Sequence, residues 1–284
     1  MIDIEKTTLN AFDCSYEESE LVVFGAPFDG TTSFRPGTRF GPAYIRNDFL
    51  GLETYSPYLN KDLREFKLND SGNVYIPIGN TKKALDNIYE TTKTIVQDGK
   101  IPFMIGGEHL VTYPAFKAVY EACPDLYLIH FDAHTDLRDF FFGEALSHAT
   151  VIKRCWDLIG DNRIYQFGIR SGEKSEFVWS DSHTIMERYN VDTVKTVVDA
   201  LKGKNVYITI DLDVLDPAVF PGTGTPEPGG VSFKELMDAI HALGDLNIVG
   251  MDIVELSPQY DTTGASTAVA CKVLRELTLT ALKQ

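Results

Sequence analysis

The sequence predicts an α/β protein in three layers, α/β/α, with helices packed on both faces of a mostly parallel sheet. Two observations lead there. Short, continuous apolar runs recur along the chain, as strands buried on both faces require. Amphipathic stretches of helical period separate them, the alternation that builds a parallel sheet. No internal repeat, Ser/Gly linker or compositional break interrupts the series, so residues 1–284 read as one domain.

Taken in order, strands are expected at LVVFGA (21–26), VYIPI (74–78), IPFMIGG (101–107), LYLIHFD (126–132), IYQFGI (164–169), VYITIDLD (206–213) and IVGMDIVEL (248–256). Helices are expected at roughly 81–98, 110–121, 147–158, 190–202, 232–243 and 263–282. Residues 25–42 and 214–230 hold too much glycine and proline for either element, and 135–147 carries three consecutive phenylalanines outside any period. All three segments follow the carboxyl end of a predicted strand, where an open parallel sheet places its binding crevice, so they are expected to share one rim.

Composition narrows the function. The 284 residues are 44% hydrophobic and 24% charged, ordinary values for a globular chain. Forty-one acidic against 26 basic residues leave a net charge of −15, which removes any general attraction to nucleic acid or anionic membranes. Cys14, Cys123, Cys155 and Cys271 lie far apart with no CxxC pair, so they read as reduced, buried thiols. Residues 1–20 have neither a basic n-region nor an apolar h-region, and no apolar run reaches the roughly 18 residues of a membrane span. A cytoplasmic location is expected.

The chemistry lies at strand ends. Asp132, His134 and Asp136 stand at alternate positions, so an extended backbone points all three the same way. Asp211 and Asp213 repeat the device, and GGEH (106–109) brings His109 to the same edge. Four aspartates gathered without cations would repel one another strongly. Oxygen-rich ligation with a minority of imidazole suits Mn²⁺, while two aspartates and a histidine also make an acceptable zinc set. Six ligands exceed one tetrahedral site, and two divalent ions would neutralise four aspartates, so a binuclear centre is expected.

GGEH (106–109), FDAHTD (131–136), SHAT (147–150), DLDVLDP (211–217), PGTGTPEPGG (221–230) and MDIVEL (251–256) resemble, in order, the motif series of the ureohydrolases, the family of arginases and agmatinases. GAPFDGTTSFRPGTRFGP (25–42) is similar to agmatinases in particular, and the resemblance spans about residues 21–270. It implies an arginase/deacetylase-like sheet of roughly eight strands and two Mn²⁺ ions per subunit. His109, Asp132, Asp136 and Asp211 would hold one ion, and His134, Asp132, Asp211 and Asp213 the other. A hydroxide shared by the ions would attack a guanidino carbon and release urea and an amine. Asp136 would orient that hydroxide, Glu255 would grip the guanidinium, and His148 would shuttle protons. Glu108 stands where many relatives carry Asp, and Ala149 where glycine is commoner.

The other residues read structurally: His130 as a packed, hydrogen-bonded core histidine, with a place behind the ligand Asp132 as the alternative, Trp156 and Trp179 as core, and Arg35 and Arg39 as salt-bridge anchors of the first loop. Leu137-Arg138-Asp139 followed by GEALSHAT looks like agmatinases, although Arg138 could in principle bind a carboxylate. The expected substrate is agmatine, cleaved to putrescine and urea; an arginase or guanidinobutyrase is the alternative. A non-catalytic relative or a zinc amidohydrolase of the deacetylase fold fits less well, because every ligand and Glu255 are present. By resemblance the subunits form a homotrimer or homohexamer.

Overall fold

Along the chain of the computed structural model, which describes residues 8–283, the elements are β1 (Leu21–Gly25), α1 (Gly41–Asp48), β2 (Tyr55–Ser56), β3 (Lys61–Asp62), β4 (Leu68–Asn73), α2 (Thr81–Gln97), β5 (Ile101–Ile105), α3 (Thr112–Ala122), β6 (Leu126–Phe131), α4 (Val151–Ile159), β7 (Ile164–Ile169), α5 (Lys174–His183), β8 (Ile185–Arg188), α6 (Val194–Ala200), β9 (Asn205–Asp211), α7 (Phe233–Ala242), β10 (Asn247–Val254) and α8 (Ala265–Ala281). Residues 1–7 of the segment read for an export signal lie outside the described residues. Among the described residues no helix is long and apolar enough to cross a membrane.

Eight strands form one sheet in the order β4-β1-β5-β10-β9-β6-β7-β8, and every pairing is parallel. The six inner strands bury both faces, whereas the edge strands β4 and β8 are partly exposed. On β1, Leu21 and Val23 face one half of the core while Val22 and Phe24 face the other, as a two-residue period demands. Helix α3 packs on α2 and α4 on one side; α8 packs on α1 and α7 on the other, with α6 against α7.

The expected strand at 74–78 is displaced. Tyr75 and Ile78 are exposed, and the sheet edge is taken by the preceding LNDSGN, where Leu68 pairs with Leu21. An edge strand needs backbone partners on one side more than an apolar face, and a bidentate pair from Arg46 to Asp70, at 2.7 and 2.9 Å, anchors this one. Helix α5 and strand β8 also carry no apolar stripe to announce them. Glu173 and Glu176 start α5 through a reciprocal capping box.

Three smaller readings change. Trp156 and Trp179 are half-buried and pack edge to face at 4.8 Å under the Lys153 ammonium, near the surface. Arg39 pairs with Asp29 at 2.6 Å as expected, but Arg35 lies over the Tyr260 ring instead of in a salt bridge. Cys155 and Cys271 are buried, whereas Cys14 and Cys123 are only partly so; all four are free thiols.

A buried polar knot ties the β2–β3 hairpin to the helical layer. Glu276 accepts hydrogen bonds from Arg275 at 2.6 Å and Ser56 at 2.7 Å and sits 2.9 Å from His241. Burial opposes its ionisation, yet these partners together hold its carboxyl down at about 2. Because the folded-state value lies below the usual 4.5, the stabilisation is present above about pH 4.5 and disappears as pH falls through 2. Glu276→Gln is therefore expected to cost about 3–5 kcal/mol at neutral pH, by stranding a buried guanidinium, and much less near pH 2. Thermal melting of both proteins across that range checks it.

Candidate metal centre

Four neighbouring strands, β5, β10, β9 and β6, end at one edge of the sheet. Adjacent strands lie about 4.8 Å apart, so side chains leaving their ends reach a common point. The registers align them: Phe131 pairs with Ile210, Val254 with Asp211, and Ile253 with Ile105. Consequently Asp132, Asp211 and Glu255 emerge at nearly one level, with His109 just beyond β5.

His109 Nδ1 lies 3.1 Å from Asp132, 3.2 Å from Asp136 and 3.4 Å from Asp211. His134 Nδ1 lies 3.1 Å from Asp213 and 3.4 Å from the other oxygen of Asp132. Asp132 thus belongs to two adjoining ligand sets, and all six predicted ligands come together. The backbone turns to aim them: Asp136 and Glu255 both adopt left-handed φ, 52° and 68°, a conformation costing non-glycine residues about 1 kcal/mol or more.

The cluster fits metal ions on its own chemistry. His109 Nε2 sits 2.9 Å from Thr209 Oγ1, whose proton goes to Asp252 at 2.6 Å. The Thr209 oxygen must accept from Nε2–H, which leaves the Nδ1 lone pair free. That Nδ1 is buried without a hydrogen-bond partner and faces three carboxylates. Electrostatics agree. Burial, and then repulsion from Asp132, pushes Asp136 up to about 7; burial with Asp213 and Asp132 drives Asp211 well above the carboxylate range. Asp132 is held well below that range despite its burial, because His130, His109 and His134 surround it. Burial opposes a charge on His109 and His134, yet their carboxylates overcome it and raise both well above the ordinary imidazole value. The carboxylates thus favour a positive charge at the place His109 Nδ1 faces, whether a proton or a metal ion supplies it.

Ser33, Arg138, Phe141, His148, Thr225 and Glu255 line a cavity of about 230 Å³ over the cluster, so the three irregular segments do share one rim. Glu255 accepts the His109 backbone N–H at 2.8 Å and donates its own to Gly107 O at 2.9 Å. Burial, reinforced by Glu108 and Asp213, lifts its carboxyl well above the usual range. His148 starts a short helical turn capped by Ser147, with its Nε2 3.3 Å from Ser33 Oγ. Burial lowers its pKa to about 4, so it is neutral at pH 7. Glu108 reaches across to Thr31 N at 3.0 Å, and Thr31 Oγ1 accepts the His148 N–H at 3.2 Å; the longer side chain thus braces the first loop against the His148 turn.

One cavity-lining residue escaped the sequence reading. Glu176 of α5 lines the cavity floor and accepts from Thr135 Oγ1 at 2.6 Å and Leu137 N at 3.0 Å. Its signal, GEKSE after a strand end, is too short to stand out. His130 is buried and hydrogen-bonded as expected, and its partner is Asp132: its Nε2 lies 2.7 Å from Asp132 Oδ2.

Sheet, rim and carboxylate–imidazole cluster define a hydrolase architecture built around a centre fit for metal ions. The chain belongs to the arginase family, whose model, described as "Arginase family", matches residues 19–280. It is 50% identical over 270 residues to an agmatinase of Bacillus anthracis, covering 93% of each chain. It is 34% identical to the human mitochondrial guanidino acid hydrolase, over 93% of this chain and 78% of that protein. A crystal structure from Clostridium difficile superposes with a TM-score of 0.93 at 58% identity, over 94% of this chain and 98% of that one.

The loop carrying Glu108 and His109 tolerates no side chain at Gly107, where an added Cβ would stand 1.8 Å from the Phe28 carbonyl oxygen. Gly107→Ala is expected to lower stability by about 1–3 kcal/mol through that overpacking. Denaturant melts measure it, and an unchanged midpoint would contradict the geometry.

Proposed function

We propose that this protein is a manganese-dependent agmatinase, a single catalytic domain of residues 1–284 that hydrolyses the guanidino group of agmatine to urea and putrescine. The carrying observation is the two-part cluster of His109, Asp132, Asp136, Asp211 and His134, Asp132, Asp213 beneath a cavity that also presents Glu255. In this reading the first four hold one ion, and His134, Asp132, Asp211 and Asp213 hold the second. The ions, when bound, supply a water that is nucleophilic at neutral pH and offset the aspartate charge.

The remaining steps belong to the protein. Glu255 offers a planar carboxylate to the N–H fork of the guanidinium, and a cation beside it relieves its repulsion with Glu108 and Asp213. Asp136 orients the attacking water by accepting its hydrogen bond. Neutral His148, on the cavity wall, takes up a proton from solvent and passes it to the departing amine.

The substrate tail is argued from Arg138. It is the only Arg or Lys among the described residues lining the cavity, and it is already engaged by Glu173 at 3.3 Å and Glu176 at 3.4 Å, stacked on Phe141. A carboxylate tail would find no free cation there, whereas an ammonium tail meets a net acidic rim. The same reading places the enzyme in polyamine synthesis in the cytoplasm, as a homotrimer or homohexamer, on the strength of the motif resemblance. The alternative is an arginase or guanidinobutyrase sharing the centre.

Urea release by the manganese-loaded and metal-stripped protein, with agmatine, arginine and guanidinobutyrate in parallel, tests this. Metal-dependent urea from agmatine alone is expected; urea from either carboxylate-bearing substrate instead would overturn the reading of Arg138. Asp132→Asn should abolish activity and lower metal content. Glu255→Gln should keep the metal while kcat/KM falls about 10- to 100-fold, the worth of one charge-assisted hydrogen bond. A normal kcat/KM would show that Glu255 does not grip the substrate.

A further inference from the structure

His130 does not line the cavity and is not among the ligands assigned above, yet it is completely buried. It stands two residues before Asp132 on β6, so both side chains leave the same face of the sheet. Its Nε2 approaches Asp132 Oδ2 at 2.7 Å, and its Nδ1 lies 3.1 Å from Gln166 Nε2 on the neighbouring strand β7.

The protons in this row can be assigned without ambiguity. Gln166 Nε2 is also 2.9 Å from Thr135 O, and a carbonyl oxygen only accepts, so that atom is the amide nitrogen and a donor. Gln166 Oε1 accepts from Thr184 Oγ1 at 3.0 Å, and Ser180 Oγ completes the row 2.6 Å further back. His130 Nδ1 therefore accepts from Gln166, Nε2 carries the proton, and that proton is donated to Asp132. With one nitrogen protonated and the other lone pair engaged, His130 cannot itself coordinate an ion.

Asp132 is thereby fixed at both oxygens. Oδ1 receives the His134 backbone N–H and Oδ2 receives His130 Nε2–H, so the plane of the carboxylate is set before any ion arrives. A carboxylate shared between two ligand sets needs that constraint more than any other, because a rotation that improves one set spoils the other.

We propose that His130, held in one tautomer by Gln166 and Thr184, is a positioning residue for Asp132 and sets the protein's affinity for its metal ions. The inference rests on the reading that Asp132 is a metal ligand.

The test is Mn²⁺ binding by the purified full-length chain, in competition with a chromophoric chelator, alongside thermal melting of the metal-free protein. Wild type should bind two ions. His130→Phe keeps a flat ring but donates nothing, and should weaken binding about 10- to 100-fold, the usual effect of removing such a partner. His130→Gln, whose amide can donate to the same oxygen, should restore most of the affinity. Gln166→Met frees the imidazole to turn and should weaken binding by a smaller factor; it carries the test if His130→Phe does not fold. Wild-type affinity in folded His130→Phe or Gln166→Met, including affinity unchanged despite a lower metal-free melting temperature, would overturn the proposal. A wild-type chain that binds no Mn²⁺ would instead overturn the metal reading, and this inference with it.

Discussion

Four aspartate carboxyls converge on two imidazoles at the end of a sheet whose faces are both dry, and their mutual repulsion is the constraint on which the surrounding structure depends. Glu108 and Glu255 add to it from the next strands. Few ammonium or guanidinium groups are spent on offsetting it. The chain uses backbone N–H groups: His109 N to Glu255, Ala133 N to Asp213, His134 N to Asp132, and Asp213 N to Asp211. Such donors are fixed by the strand ends that carry them, so they orient the carboxylates without neutralising them. A site arranged this way retains its demand for cations, and charge of that kind is what a pair of divalent ions and a guanidinium would supply.

Holding like charges together requires a rigid support, and the sheet provides it. The strands that lead into the cluster and Glu255, β5, β10, β9 and β6, are the four central ones, flanked by two further strands on each side and covered by helices on both faces. The chain passes from β5 to β6 leaving a two-strand gap that β9 and β10 fill only later, so the crevice opens where the winding reverses. Behind the cluster, polar rows run into the core: Thr209 and Asp252 behind His109, and His130, Gln166 and Thr184 behind Asp132. Every member is hydrogen-bonded, which is the condition under which buried polar groups confer geometry instead of instability.

Charge also operates at longer range. A net −15 surrounding an acidic cleft raises the local concentration of small cations and repels anionic competitors, an effect on encounter that weakens with salt. Within that field Arg138 is an exception in sign only. Its guanidinium is engaged by Glu173 and Glu176 and lies over the Phe141 ring, contacts that tie its loop to the start of α5.

The sequence by itself determined the layered α/β class and six of the eight sheet strands, because these depend on local periodicity, and its motifs marked the six side chains that gather in the cluster. Buried parallel strands announce themselves as apolar runs; the expected extended alternation does not carry the cluster, because the strands end at Phe131 and Asp211 and turns beyond them aim Asp136, at φ 52°, and Asp213, in a short helical turn. Elements without an apolar stripe stayed silent: β4 is a polar edge, β8 is short, and α5 is recognisable only by its capping glutamates. The partners of His130 and Arg138 were equally out of reach. Gln166 is 36 residues from His130, and Glu173 caps and Glu176 sits on a helix the periodicity does not show. Which residues can bear chemistry is a local property of the chain, but which hydrogen-bond donor meets which acceptor is decided only when the sheet order brings distant strands side by side.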